Sequence, residues 1–320
     1  MRLIYAFPEP LPLERARGLQ AVHTVAALAE AGIEVDLAFA PVRGADGPVD
    51  PFNHYDVARH ARVTLTPIAR ALPWPLSRVH SNRLFFANLQ RQFGDRLARE
   101  PVMVRHLKLA ALLSRQVPRA RLLYEAHEVF GDTAAPAKRE ANRAIEHTVM
   151  ERAVAVVANS SATAGRLRAL YGRSGLIEVV PNGVDRPVSL PDKPWHEAAR
   201  HVVYAGSFFP WKGVSELVAA AARLPGCRIE LMGGDEQSVK ELKSQLEAGG
   251  AEVRFTGRLP HAQVMSRLAE ACIAVLPNRD DTDSAFTSPI KLFEYMASGC
   301  AIVASDLPAL REVLAENEAV

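Results

Sequence analysis

The feature that most limits what this chain can fold into is an alternation of short β-branched runs with stretches of helical period, which runs once, stops and starts again. In the first round Leu3–Phe7 reads as a strand. Arg15–Ala31 reads as a helix with Leu19, Val22, Val25, Ala26, Leu28 and Ala29 on its apolar side. Gly32 closes that helix, and Glu34–Phe39 gives a second strand. Further strands are predicted at Val102–Val104, Leu122–Tyr124, Val154–Ala158 and Ile177–Val180, with a helix over Ala137–Arg152. Residues 41–75 are Pro-rich and show no clear period, which suits a long functional loop. Pro181-Asn182-Gly183-Val184-Asp185 and a polar segment to about Ala199 interrupt the pattern, so the domains are predicted as residues 1–185 and 186–320. In the second round strands at His201–Tyr204, Arg228–Met232, Val253–Thr256, Ile273–Leu276 and Ala301–Ala304 alternate with helices. Those helices are predicted at Val214–Arg223, Ser238–Ala248, His261–Ala271, Pro289–Ser298 and from Leu307 onward. Such alternation builds parallel sheets with helices on both faces. The expected fold class is α/β: two Rossmann-like, doubly wound domains facing across a cleft at the carboxyl ends of their sheets.

The composition is that of a globular chain, nearly half hydrophobic and under a quarter charged. Cys227, Cys272 and Cys300 are odd in number, not spaced like metal ligands, and read as reduced residues of a cytoplasmic protein. The run Leu3–Phe7 is too short for a signal peptide and is broken by Pro8. No apolar stretch approaches the roughly 20 residues of a membrane span. Between Arg59 and Arg121 thirteen Lys or Arg face only two acids, Asp95 and Glu100. That asymmetry fits either solvated helix faces or a surface for anionic lipid or an anionic acceptor, and so a peripheral place at the inner face of the cytoplasmic membrane. Nucleic acid is not the expected partner, because aromatics do not interleave with the basic residues.

Two segments carry the chemistry. Gly206-Ser207-Phe208-Phe209-Pro210-Trp211-Lys212-Gly213 follows a strand; a glycine there lets a ligand approach the backbone, and Lys212 adds a charge beside a helix start. A departing diphosphate needs that charge. Taken alone, the segment reads equally as an ordinary turn with a surface lysine. In Ser288-Pro289-Ile290-Lys291-Leu292-Phe293-Glu294, Ser288 is the expected cap and Pro289 the first helical residue. Glu294 lies among apolar neighbours, where a carboxylate is costly unless it meets a polar ligand such as ribose hydroxyls, and Lys291 shares its side. An exposed Glu–Lys pair is the plain alternative.

In order and spacing these segments resemble the retaining glycosyltransferases of family 4, which have the GT-B fold. Asn182-Gly183-Val184-Asp185 resembles the family's interdomain segment, Gly206–Gly213 its phosphate-binding stretch, Met232-Gly233-Gly234 its Gly-rich turn, and Phe255-Thr256-Gly257-Arg258-Leu259 the stretch near the nucleobase. Glu294-Tyr295-Met296-Ala297 with Gly299 resembles the second half of its E-x7-E motif, and Ala304-Ser305-Asp306 with Glu312 continues the match. The resemblance implies an enzyme that moves a sugar, with retention and without a bound metal or cofactor, from a nucleotide diphosphate donor to a glycan or lipid-linked acceptor of the cell envelope or an exopolysaccharide. It implies that the C-terminal domain binds the donor and the N-terminal domain the acceptor. A UDP-sugar is favoured over a GDP-sugar as the commoner donor in the family. The implied catalytic residues are His127, Lys212 and Glu294; Gly206, Ser207, Gly233, Arg258, Leu259, Ser288, Pro289, Ile290 and Lys291 complete the donor site. Lys212 would neutralise the diphosphate, Glu294 would bind the ribose, backbone near Pro289 and Ile290 would hold phosphate oxygens, and His127 would touch sugar or acceptor.

Three departures matter. The family's arginine after the phosphate-loop glycine is Ser207 here, so Lys291 is expected to supply the second cation. The first Glu of E-x7-E is Phe286, and the chain stops at Val320, short of the family's usual length. A nucleotide-sugar epimerase of related two-domain architecture is the alternative enzyme, and these departures leave room for a non-catalytic nucleotide-sugar-binding protein. Nicotinamide, P-loop and serine-hydrolase chemistry lack their glycine signatures: no G-x-G-x-x-G follows a strand, no Gly-Lys-Ser/Thr occurs, and there is no G-x-S-x-G.

Overall fold

A computed structural model describes residues 1–13, 16–44, 47–71, 81–172, 175–185, 192–193, 195, 199–247, 249–281 and 288–314. The chain divides into two compact units, Met1–Val180 and Pro181–Val320.

The strands of the first unit are β1 (Arg2–Leu11), β2 (Glu34–Pro41), β3 (Arg43–Gly44), β4 (Gly47–Pro48), β5 (Val63–Pro67), β6 (Pro101–Val104), β7 (Arg121–Ala126), β8 (Ala155–Ala158) and β9 (Ile177–Val179). Seven of them form a parallel sheet in the order β5-β2-β1-β6-β7-β8-β9, and β3 pairs β4 in a separate antiparallel ribbon. Helix Ala16–Glu30 lays Val22, Val25, Ala26 and Ala29 onto Tyr5, Phe7, Leu37 and Phe39. That is the apolar stripe expected from its period.

Two expectations need correction here. The first strand does not stop at Phe7: β1 continues through Pro8 and Pro10 to Leu11, with a register shift between Phe7 and Pro10. The strand β6 pairs only Ile4–Ala6, so the prolines lie where β1 has a neighbour on one side and a missing N–H is tolerated. The Pro-rich stretch is also not one long loop. It holds the β3–β4 ribbon, a short helix Pro51–His54 capped by Asp50 (Phe52 N to Oδ1, 2.8 Å), and the edge strand β5. Residues 72–75 of that region lie outside the described residues.

The second unit has five parallel strands, β10 (His201–Ala205), β11 (Arg228–Met232), β12 (Glu252–Gly257), β13 (Ile273–Leu276) and β14 (Ala301–Ala304), in the order β12-β11-β10-β13-β14. Strand β10 shows the period of two directly. Val203 and Ala205 join a cluster with Leu268, Leu292 and Tyr295, while Val202 and Tyr204 join one with Val214, Leu217 and Leu242. Two apolar clusters on the two faces are what a doubly wound sheet requires. The helix predicted from Ser238 begins at Glu236 because Asp235 caps it, accepting from Ser238 N at 2.8 Å, and it ends at Lys243. The helix from Val214 is α-helical to Ala220 and tightens to a 3₁₀ turn over Ala221–Arg223.

In each sheet the first strand has its neighbours running away in opposite directions, so the order switches between β1 and β6 and between β10 and β13. The carboxyl ends of strands at such a switch point are the natural ligand positions of doubly wound sheets. At the second switch, Gly213 has φ +65°, and a Cβ on it would lie 1.7 Å from the Pro277 carbonyl oxygen. Gly249 has φ +88° with no atom within 4 Å of such a Cβ. Gly213→Ala is therefore expected to lose at least 2 kcal/mol, on the order of strain plus overpacking, against about 1 kcal/mol for Gly249→Ala. Urea unfolding midpoints of the two variants check the difference.

Candidate functional site

The loops after β10 and β13 bring together residues far apart in the sequence. Gly206 follows β10 directly, and its N–H donates to the Met232 carbonyl at 2.7 Å. The space a side chain would take there is filled: a Cβ on Gly206 would lie 2.4 Å from Lys291 Cε and 2.8 Å from its Nζ. Gly206 thus makes room for the end of the Lys291 side chain. Gly233 packs just as closely, with a hypothetical Cβ 1.9 Å from the Gly206 carbonyl oxygen. Ser207 contributes its carbonyl, which accepts from the Tyr204 hydroxyl at 2.8 Å.

Lys212 ends a 3₁₀ turn, Pro210–Lys212, and is buried, not a surface lysine. Its Nζ lies 3.6 Å from the centre of the Trp211 ring. Among the described residues neither Lys212 nor Lys291 donates a hydrogen bond to an acid. Burial, then repulsion from Lys291, pushes the Lys212 ammonium down to about 7, with Asp281 offsetting part of it. The Lys291 ammonium is also lowered by burial, against the pull of Glu294. Two desolvated cations side by side are costly in a free protein. The arrangement can hold a polyanion, because each added negative charge relieves both.

Glu294 is buried on helix Ile290–Ala297 and is not part of an exposed pair. Its Oε1 lies 2.8 Å from Nε2 of His261, the first residue of helix His261–Glu270. The hydrogen bond to Glu294 raises the His261 pKa against the effect of burial. Ser288 does not cap its helix. Pro289 is the cap residue and gives no side-chain bond, and the helix starts at Ile290. The Ser288 hydroxyl instead accepts from Asn182 N at 3.1 Å, and the Asn182 amide donates to the Ser288 carbonyl. The segment at 182 is thereby stapled to the start of the Lys291 helix. Arg258 is exposed, with its charge acting on Asp235. Leu259 is half-buried and packs against the hydrophobic core of this unit. Phe286 lies outside the described residues.

The first unit has its own polar cluster, built from Tyr5 on β1, Gln20 on helix Ala16–Glu30, Arg105 just after β6, Glu125 near the end of β7 and His127 just after it. His127 Nε2 lies 2.7 Å from Glu125 Oε1, and the Tyr5 hydroxyl donates to Glu125 Oε2 at 2.6 Å. Gln20 Nε2 is 3.2 Å from His127 Nε2, and Arg105 donates to Gln20 Oε1. Burial pushes the Glu125 carboxyl up, but His127, Arg105 and Tyr5 outweigh it and hold it at about 2. Burial and Arg105 lower the His127 pKa in spite of Glu125. Sequence reasoning selected His127 alone. Gln20, Arg105, Glu125 and His261 were missed; Arg105 and Glu125 lie just beyond predicted strands and His261 starts a predicted helix, while Gln20, inside a helix, carries no such signal.

Comparison with known proteins follows the same division. A model described as Glycosyltransferase Family 4 matches residues 19–186, and one described as Glycosyl transferases group 1 matches residues 199–320. The phosphatidyl-myo-inositol mannosyltransferase of Mycolicibacterium smegmatis is 35% identical over 150 residues, 44% of this chain and 37% of that protein. The enzyme of the same name from Mycobacterium tuberculosis is 30% identical over 149 residues, 43% of this chain and 37% of that protein. The match thus spans little more than a third of these curated relatives. Among solved structures, sucrose-phosphate synthase from Thermosynechococcus elongatus is similar with a TM-score of 0.70 and 20% identity, covering 97% of this chain and 83% of that one. Anabaena HepE in complex with UDP and glucose is similar with a TM-score of 0.67 and 19% identity, covering 98% and 83%. These likenesses establish the fold, two parallel-sheet α/β units of the GT-B type.

The paired ammonium groups make a direct prediction. In ¹³C NMR of labelled lysines, Lys212 titrates near pH 7 while exposed lysines titrate near their usual value of about 10.4. Substituting Lys291→Met removes a like charge, so the Lys212 midpoint moves up; an unmoved midpoint means the two groups do not interact.

Proposed function

Because this chain belongs to glycosyltransferase family 4 and is a glycosyltransferase, we propose that its second unit binds a nucleoside diphosphate sugar and its first unit presents the acceptor. The observation that carries the proposal is buried Lys212 beside half-buried Lys291 at the switch point of the second sheet. A diphosphate fits both their charge and their place in the fold. As the sugar bond breaks, negative charge grows on the leaving diphosphate, and preorganised cations in a desolvated site stabilise that charge more than the ground state. Glu294, fixed through one oxygen by His261, accepts from the ribose hydroxyls with the other. His127, held by Glu125, contacts the transferred sugar or the acceptor. Retention of configuration and independence of metal ions are part of the proposal and rest on the resemblance.

Structural neighbours were crystallised with UDP, UDP-glucose, or UDP and glucose, which supports a UDP-sugar. The names of the mycobacterial relatives support a mannosyl donor and a lipid acceptor. No helix among the described residues is long and apolar enough to cross a membrane. The basic stretch is partly consumed internally, since Arg59 pairs with Asp50 and Arg96 with Asp36 and Glu100. Arg83, Arg91, Lys108 and Arg115 remain exposed on the two packed helices Asn82–Phe93 and Leu107–Gln116. That face is the proposed contact with an anionic membrane, and charge reversal there is expected to abolish co-sedimentation with anionic vesicles.

The donor reading has a pH signature. Lys212 must be protonated to bind the diphosphate, so kcat/KM for the donor is highest below pH 7 and falls as pH rises through about 7. Lys212→Arg keeps its charge and removes that limb. Lys212→Ala lowers kcat/KM by roughly 10²- to 10³-fold, the scale of losing one charge-stabilising donor. Turnover in EDTA equals that in its absence; a loss restored by a divalent cation contradicts the metal-independent mechanism.

A further inference from the structure

The loop that leaves β13 runs against the Lys212 turn residue by residue. Arg279 N donates to the Trp211 carbonyl at 2.9 Å, and the Pro277 carbonyl presses on Gly213. Residue 278 therefore stands opposite residue 212. It is Asn278, only 3% exposed. Neither Nδ2 nor Oδ1 has a hydrogen-bond partner among the described residues. A buried side-chain amide with both ends unsatisfied is rare in native proteins and costs stability, so it marks a group kept for something other than folding.

Its place and chemistry narrow the ligand. The turn it faces carries the Lys212 ammonium, which calls for an anion, and a diphosphate offers acceptors only. Such a group satisfies Nδ2 and leaves Oδ1, which needs a donor. The ribose hydroxyls are assigned to Glu294, which is already held by His261. The remaining donors beside a diphosphate are the hydroxyls of the transferred sugar. We propose that Asn278 is a donor-binding residue at the junction of diphosphate and sugar, with Nδ2 donating to a phosphate oxygen and Oδ1 accepting from a sugar hydroxyl. This inference rests on the donor reading above and adds to it a residue that distinguishes the intact donor from the spent nucleotide.

Isothermal titration of wild type, Asn278→Ala and Asn278→Asp with UDP, GDP, UDP-glucose and GDP-mannose tests it, together with melting temperatures of Asn278→Leu without nucleotide. The expected results are about tenfold weaker binding of the sugar nucleotide by Asn278→Ala, and only about two- to threefold weaker binding of the matching nucleoside diphosphate. Asn278→Asp binds both more weakly than Asn278→Ala, because a carboxylate then faces phosphate. Asn278→Leu melts no lower than wild type, since no protein partner is lost. Unchanged sugar-nucleotide binding in Asn278→Ala, equal losses for both ligand classes, or a Leu variant that melts several degrees lower with donor affinity intact overturns the inference alone. Wild type that binds none of the four ligands overturns the donor reading beneath it.

Discussion

The second unit is organised around positive charge held out of water. Lys212 on the turn after β10 and Lys291 on the helix after β13 are both desolvated, and repulsion from Lys291 lowers Lys212 further, with Asp281 and Glu294 only partly offsetting the loss. A fold selected for stability alone replaces such a pair with apolar side chains. The surrounding structure instead holds it in place: Gly206 leaves the volume that Lys291 fills, and Gly213 lets the Pro277 loop close on the turn. The hydrogen bonds from Asn182 to Ser288 fix the start of the Lys291 helix. Stability is spent on a site whose charge a polyanionic ligand completes.

The first unit solves a different electrostatic problem. Glu125 is buried but keeps its charge, because His127 and Arg105 surround it and Tyr5 donates to it. The consequence is a histidine whose ring is fixed through Nε2 by a carboxylate. That cluster sits at the carboxyl ends of β6 and β7, the same end of its sheet that the lysine pair occupies in the other unit. Two sheets of the same winding thus carry unlike chemistry at equivalent positions, cationic in one and a carboxylate–imidazole pair in the other. A group-transfer enzyme has use for both.

The alternation of strands and helices was legible because each parallel strand is buried on both faces and reads as a short apolar run. The exceptions have local causes. Pro8 and Pro10 mask the end of β1, which is a strand only because β2 tolerates them on one side. The strand β5 hides in a Pro-rich stretch because it is an edge strand. In the site, Lys212, Lys291, Glu294 and His127 were selected through the resemblance of their segments to the family's motifs, with Glu294 alone marked out by its apolar neighbours. His261, Asn278, Gln20 and Arg105 were not, since their meaning comes from partners brought in by the topology. Ser288 was misassigned for the same reason: an Asn 106 positions earlier in the chain takes the hydroxyl that local capping rules reserve for the helix.

The most direct test of this account is a crystal structure of the protein grown with UDP or GDP, whichever binds. It predicts both phosphates within hydrogen-bond reach of the ammonium groups of Lys212 and Lys291, in the space between the loops that leave β10 and β13. Phosphates lodged elsewhere in either unit, with those two ammonium groups left untouched, contradict it.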